Sequence, residues 1–182
     1  MKTPAENFQS MAASAEKFES TFGHLSEAQL NWKINPETWS IAQVLEHLII
    51  TKASFFQQLD DLSKSKYKKP FWSFLGGFLS NLVLSAVKND RKKVKAPPLW
   101  SNVQSKLPAM IIRMYRQNMS EFLKLSQAAA HKIKPEETYL VSPALFLITY
   151  RFDYGMEILA VHEERHFKQA LAVMNHSGFP KA

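Results

Sequence analysis

Two histidines near the C-terminal end of the chain, His162 and His166, have the spacing of metal ligands on a helix. They lie four residues apart in the segment VHEERHFKQ, so on a helix their rings project from one face, one turn apart, and can share one metal ion. Both fall on the apolar side of that helix, where an imidazole needs a polar partner or a cation. Because this spacing also occurs by chance on exposed helices, a third ligand is needed to decide.

His47, in the segment QVLEHLI, is the candidate third ligand. It lies at the edge of the apolar stripe of an earlier helix, where a side chain can reach a neighbouring helix. Taken alone, His47 is more typical of a hydrogen-bonded residue at the core boundary. Together with His162 and His166 it gives three neutral nitrogens from two helices, the composition of an open metal site. Gln169, near the same face, could then hold one of the rings or be merely polar.

The letters HEERH also match the zinc-protease pattern H-E-x-x-H, in which the glutamate is the general base. The downstream sequence argues against a protease, because no acidic residue follows Glu164 and Ala172 stands where a metzincin needs a histidine. Glu163 could still accept a proton near a bound water. If Glu163 or His24 instead completed the coordination sphere, a structural site would be favoured over a catalytic one.

The composition fits one folded domain spanning residues 1–182. Of these 182 residues, 46% are hydrophobic and 13 are phenylalanine, which excludes a disordered chain. The absence of cysteine excludes disulfides, iron–sulfur clusters, thiolate zinc ligands and a cysteine nucleophile. No phosphate-binding glycine motif and no G-x-S-x-G is present. With no recognisable secretory signal, we expect a cytoplasmic protein.

The net charge of +7 comes from one part of the chain. Between Ser63 and Ala96 there are nine basic residues and one acidic residue. The nine are Lys64, Lys66, Lys68, Lys69, Lys88, Arg91, Lys92, Lys93 and Lys95. Because they lie in a long connection and not on one helix face, we do not expect nucleic-acid binding. A solvated loop and an anion-attracting rim around a site both explain them.

The same connection contains the longest apolar stretch, Phe71 to Val87. At 17 residues with two glycines and several polar residues, it is short for a transmembrane helix, so we expect no stable membrane insertion. Its aromatic residues would expose apolar surface in a monomer, which favours a homodimer.

Apolar periodicity predicts four long helices, and therefore an all-α four-helix bundle with a long crossover between helices 2 and 3. The predicted helices run from about Pro4 to Phe22, Ser40 to Ser63, Pro108 to Lys132 and Tyr150 to Met174. The crossover spans about Lys64 to Leu107, and part of it should be helical. The segment Tyr139 to Ile148 is ambiguous between strand and helix.

The segments TWSIAQVLEHL and HEERHFKQ, with a KAPP-containing connection between them, resemble the DinB-like or YfiT-like metalloenzyme family. The resemblance covers about His24 to Pro180. It implies an up-down-down-up bundle, frequently a homodimer, in which His47, His162 and His166 hold one divalent metal ion, zinc or nickel being the first expectation. This chain departs from the family pattern in its bulky apolar and basic crossover.

The resemblance also implies a reaction class. The family includes thiol-dependent S-transferases, related isomerases and metal-dependent hydrolases, so the metal would activate a bound water or a low-molecular-weight thiol cosubstrate against a small-molecule substrate. With no cysteine in the chain, the thiol has to arrive as a separate molecule. The alternative is a non-catalytic metal-binding protein that acts in a stress response or as an interaction partner.

Overall fold

Helices make up most of the structure, a computed structural model that describes residues 2–88, 101, 103–143 and 148–181, and one β-hairpin accompanies them. The helices are α1 (Pro4–Phe22), α2 (Glu27–Asn31), α3 (Ile41–Ala53), α4 (Phe56–Ser63), a 3-10 helix (Phe71–Leu75), α5 (Gly76–Lys88), α6 (Ile111–Ala130) and α7 (Phe152–Met174); the strands are β1 (Tyr139–Val141) and β2 (Thr149–Arg151). The predicted all-α class is confirmed, and the first helix has the predicted bounds.

Reciprocal side-chain caps define where α1 and α3 begin. The Ser40 hydroxyl accepts a hydrogen bond from the Gln43 backbone N–H, and the Gln43 side chain accepts one from the Ser40 N–H, both at 3.2 Å. Thr3 and Glu6 form the same arrangement before α1. Each cap satisfies backbone donors that have no partner inside the helix. The cap at Ser40 therefore fixes the start of α3, two turns before His47.

The prediction of one continuous helix from Ser40 to Ser63 is wrong in one respect, because the chain leaves the helix between α3 and α4. The Ser54 hydroxyl donates to the Thr51 carbonyl at 2.6 Å, and the Phe55 N–H donates to the Lys52 carbonyl at 3.0 Å. These shorter-range bonds tighten the turn and interrupt the helical ladder. The apolar stripe continues across the break, and its residues Ile41, Val44, Leu45, Leu48, Phe55, Leu59 and Leu62 are all buried.

The last helix begins two residues later than predicted, because Tyr150 and Arg151 belong to a strand. In the antiparallel hairpin, Tyr150 pairs with Leu140 and Arg151 with Tyr139. The ambiguous segment is therefore a strand over Tyr139–Val141, and positions 144–147 lie outside the described residues. The third helix also starts later, since residues 108–110 form a turn before α6.

Side-chain contacts at the helix ends show that two pairs of bundle helices run parallel. Gln29, just after α1, donates to the carbonyl of Pro180, just after α7, at 3.0 Å. Gln43, near the start of α3, donates to the carbonyl of Gln104, shortly before α6, also at 3.0 Å. Like ends are therefore adjacent in both pairs, so α1 runs parallel to α7 and α3 runs parallel to α6.

The pair formed by α3 and α4 runs antiparallel to α7. The Gln58 side chain on α4 donates to the Val141 carbonyl at 2.8 Å and accepts from the Val141 N–H at 2.9 Å, in the hairpin that precedes α7. The order is thus up, down, down, up, as expected. Because α4 ends at the opposite end of the bundle from the start of α6, the connection between them has to travel its whole length.

Four hydrogen bonds hold the end of this crossover against α2 and α3. The Asn31 amide donates to the Leu107 carbonyl at 2.7 Å and accepts from the Leu107 N–H at 2.8 Å. The Gln104 N–H donates to the Glu46 carboxylate at 2.6 Å, and the Gln104 carbonyl accepts from Gln43 at 3.0 Å. The backbone N–H and carbonyl groups of both Gln104 and Leu107 are thus hydrogen-bonded, although they lie in an irregular segment.

The middle of the crossover is helical, as predicted, and packs against α7 and the hairpin. Two of its apolar side chains face outward, with Phe71 90% exposed and Leu82 58% exposed. The homodimer stays a prediction. No helix in the part of the chain that the structure describes combines the length and the apolar character needed to cross a membrane.

Replacing Asn31 should test the attachment of the crossover. We expect Asn31→Ala to lower the free energy of unfolding by about 1–3 kcal/mol, because both Leu107 backbone groups lose their partner. Urea denaturation measures the change. Asn118→Ala is the matched control, because the Asn118 side-chain oxygen has no hydrogen-bond partner among the described residues. Equal losses in the two variants would contradict the proposed role of Asn31.

Candidate metal centre

The structure brings His47, His162 and His166 together between α3 and α7. The Nε2 atom of His162 lies 3.2 Å from that of His47 and 3.0 Å from that of His166. The ligand atoms of all three residues lie within 4.8 Å of one another. His47 is 1% exposed and His166 is 9% exposed, whereas His162 keeps part of its surface accessible. The centre is thus closed on the core side and accessible beside His162.

The distances between the nitrogens fit the spacing of ligands around one metal ion. Imidazole nitrogens bind zinc at about 2.0–2.1 Å, so two of them on the same ion are about 2.8–3.4 Å apart at angles between about 90° and tetrahedral. A neutral imidazole has only one N–H, and hydrogen bonds alone therefore poorly satisfy three nitrogens that face one another. Among the described residues, this cluster consists of the three histidines and contains no carboxylate.

The surroundings keep His162 and His166 neutral and orient the ring of His166. Burial, and after it the neighbouring His47, lowers the pKa of His166 to about 3. Burial, followed by the other two imidazoles, lowers the pKa of His162 well below its usual 6.5. The Gln169 side-chain oxygen lies 2.8 Å from Nδ1 of His166, which places the proton on Nδ1 and leaves the Nε2 lone pair facing the cluster. Gln169 therefore holds a ring, one of the two roles considered for it.

Trp39 forms an aromatic wall of the centre. Its ring centroid lies 4.9 Å from that of His47 and 6.2 Å from that of His166. The rings of Trp39 and His166 are nearly parallel, with an angle of 24° between their planes. Trp39 directly precedes the cap residue Ser40, so the same local structure that starts α3 brings the indole to the site. Its half-buried ring leaves an apolar surface next to the imidazoles.

Glu163 is next to His162 in the sequence, but its side chain contacts other residues. The Lys52 ammonium lies 2.5 Å from one of its carboxylate oxygens, and the Tyr115 hydroxyl donates to the other at 2.5 Å. All three side chains are buried. The carboxylate that the sequence suggested as a proton acceptor or fourth ligand is therefore engaged by two donors from α3 and α6.

Sequence reasoning missed Lys52 as a functional residue, although a signal was present. Lys52 lies four residues after Leu48 and seven before Leu59, on the apolar stripe of the predicted second helix. A charged residue at such a position has to be paired or to reach solvent. Burial lowers the pKa of Lys52 while the Glu163 charge opposes this, and burial with Glu163 raises the pKa of Tyr115 well above its usual 10.

The remaining candidates lie away from the centre. His24, His131 and His176 are exposed, and the cluster does not include them. The exposed Lys64, Lys66, Lys68 and Lys69 follow α4, about 25 Å or more along the helical path from His47, so they do not form a rim around the site. Of the other basic residues, Arg91, Lys92, Lys93 and Lys95 lie outside the described residues.

Comparison with known proteins gives one match. The family model of the DinB superfamily matches residues 11–170, a range that contains all three histidines of the cluster and the contacts of Glu163. No curated protein and no solved structure matches the chain.

The contacts of Glu163 predict that removing one partner destabilises the protein strongly, and that removing the whole buried group restores most of the stability. We expect Lys52→Met to lower the free energy of unfolding by about 3–5 kcal/mol, because it leaves the Glu163 charge buried without its partner. The triple variant Lys52→Met/Tyr115→Phe/Glu163→Leu should recover most of this loss, since no buried charge remains. Urea denaturation measures both.

The surface pair between Lys17 and Glu164, 3.5 Å apart, offers the control. Lys17→Met should change the free energy of unfolding by less than about 1 kcal/mol, because water screens that pair. A triple variant less stable than Lys52→Met would contradict the expected compensation.

Proposed function

This chain belongs to the DinB superfamily, and on that premise we propose that it binds one divalent metal ion through His47, His162 and His166 and uses it to act on a small molecule. The observation that carries the proposal is the convergence of three Nε2 atoms at 3.0 and 3.2 Å around His162. Three imidazole ligands favour zinc or nickel over magnesium or calcium, which prefer oxygen ligands.

The donor set supports catalysis more than a purely structural role. Structural zinc sites are closed by four protein ligands, whereas three ligands leave a position for another molecule. When bound, a divalent ion lowers the pKa of a water or a small-molecule thiol that occupies this position. The partly accessible edge at His162 and the indole of Trp39 give a substrate a place beside the centre.

The chain's own residues set the conditions for that chemistry. His47 and His166 are buried and held by neighbouring groups, so their nitrogens need no reorganisation to bind an ion. Glu163 is not assigned as the base, because Lys52 and Tyr115 occupy both of its oxygens. The proton from a bound nucleophile would therefore leave toward solvent or the substrate.

Metal content measures the proposal directly. We expect about one zinc or nickel ion per chain by plasma emission spectrometry after incubation with each metal and gel filtration. His47→Ala, His162→Ala and His166→Ala should each lose most of this metal, because two imidazoles bind much more weakly than three.

The exposed histidines supply matched controls for these variants. His24→Ala, His131→Ala and His176→Ala remove the same side chain outside the cluster and should keep full occupancy. A parent protein that stays metal-free, or a His47→Ala variant that keeps its metal, would overturn the proposed site.

Activity assays distinguish between the two proposed nucleophiles, a bound water and a low-molecular-weight thiol. We propose that the metal-loaded protein either joins a low-molecular-weight thiol to an electrophile such as chlorodinitrobenzene, or hydrolyses an activated ester without thiol. Turnover above the uncatalysed rate should require the metal and fall to background in His162→Ala, while His131→Ala should retain it. Turnover that survives chelation and His162→Ala contradicts metal-dependent catalysis.

The non-catalytic alternative gives a different result in the same experiments. A metal-binding interaction protein would hold one ion per chain and lose it in the histidine variants, yet show no metal-dependent turnover with any thiol, electrophile or ester.

A further inference from the structure

Three buried side chains from three bundle helices meet beside the histidine cluster. Lys52 on α3 and Tyr115 on α6 each contact one oxygen of Glu163 on α7, both at 2.5 Å. The Lys52 ammonium also lies 4.8 Å from the centre of the Tyr115 ring. Each of the three residues is at most 1% exposed. The group, called the Glu163 triad below, thus links the three helices inside the core.

Stability alone does not explain why the core contains this triad. Moving a lysine and a glutamate out of water carries a desolvation cost that their attraction often fails to exceed, and apolar residues of similar size are frequently as stable or more so. Buried ionic groups do contribute something that apolar packing lacks, because hydrogen bonds require defined distances and angles. Apolar contacts, in contrast, tolerate repacking.

We propose that Glu163, held by Lys52 and Tyr115, is a positioning residue for the three-histidine centre. Glu163 directly follows His162 on α7, and Lys52 follows His47 on α3 by five residues. The two helices therefore have two polar contacts close together, one between His47 and His162 and one between Lys52 and Glu163.

Two contacts between the same pair of helices restrict their relative rotation more than one contact does. A single contact allows α7 to rotate about its axis, and each residue corresponds to about 100° of rotation. With Glu163 fixed between Lys52 and Tyr115, the direction of the adjoining His162 is fixed as well. The bond to Tyr115 adds α6 as a third reference, so a shift between any two helices would break a buried charged hydrogen bond.

The test compares metal affinity in the parent and in the triple variant Lys52→Met/Tyr115→Phe/Glu163→Leu. This inference rests on the proposed metal binding, so Co²⁺ is first titrated into the parent, with the visible absorption bands of Co²⁺ as the report of ligand geometry. The triple variant removes the triad without leaving a buried charge. We expect it to fold cooperatively, to bind Co²⁺ about 10- to 100-fold more weakly and to show altered absorption bands.

Glu164→Gln is the matched control, because it changes the adjacent glutamate, which pairs with Lys17 on the surface. It should keep the affinity and the absorption bands of the parent. If the triple variant does not fold, Tyr115→Phe replaces it; this variant removes one bond to Glu163 and should weaken Co²⁺ binding about 10-fold with altered bands.

The outcomes separate this inference from the proposed function. A parent that binds Co²⁺ together with a folded triple variant, or a folded Tyr115→Phe variant, of equal affinity and identical absorption bands overturns the positioning role and leaves the metal site standing. A parent that takes up no Co²⁺, no zinc and no nickel overturns the proposed function, and the positioning role with it.

Discussion

Burial of polar side chains between α3 and α7 is the constraint on which the rest of the structure depends. His47 and Lys52 on one helix, and Glu163 and His166 on the other, are buried beside the apolar core. Each would carry a large desolvation cost without a partner. His47, Lys52 and Glu163 have partners on the facing helix, Glu163 also contacts Tyr115 on α6, and His166 has its partners on α7 itself. The antiparallel packing of α3 against α7 brings these groups together.

The direction of the helices explains the long crossover and where it ends. Since α3 and α6 run parallel, the chain has to return along the bundle before α6 can begin, which a short loop cannot do. The return ends at Gln104, whose backbone is held by Gln43 and Glu46. Glu46 directly precedes His47. The crossover is thus attached to the turn of α3 that carries a candidate ligand.

The sequence was sufficient to predict the structural features that follow from apolar periodicity. It was insufficient where a single hydrogen bond determines the local structure. Apolar spacing predicted α1 with its bounds and the stripe of the second helix, and the family resemblance implied that the three histidines form one ligand set. It missed the break at Ser54, which depends on a hydroxyl bonding to the carbonyl of Thr51, and it placed Tyr150 in a helix instead of a strand. Lys52 was missed because a pattern of apolar residues does not reveal that Glu163 lies opposite on a helix more than one hundred residues later.

The charges of the three-histidine centre and of the adjoining Glu163 triad affect the chemistry that a bound ion would supply. Burial lowers the pKa of His162 and His166, which keeps these two imidazoles neutral at pH 7. In the Glu163 triad, the positive Lys52 offsets the carboxylate within 2.5 Å. Neither group would therefore place an uncompensated negative charge on a divalent ion bound by His47, His162 and His166, in contrast to sites with carboxylate ligands. An ion bound there would keep its full charge, which is the condition under which a cation lowers the pKa of a bound water or thiol most strongly.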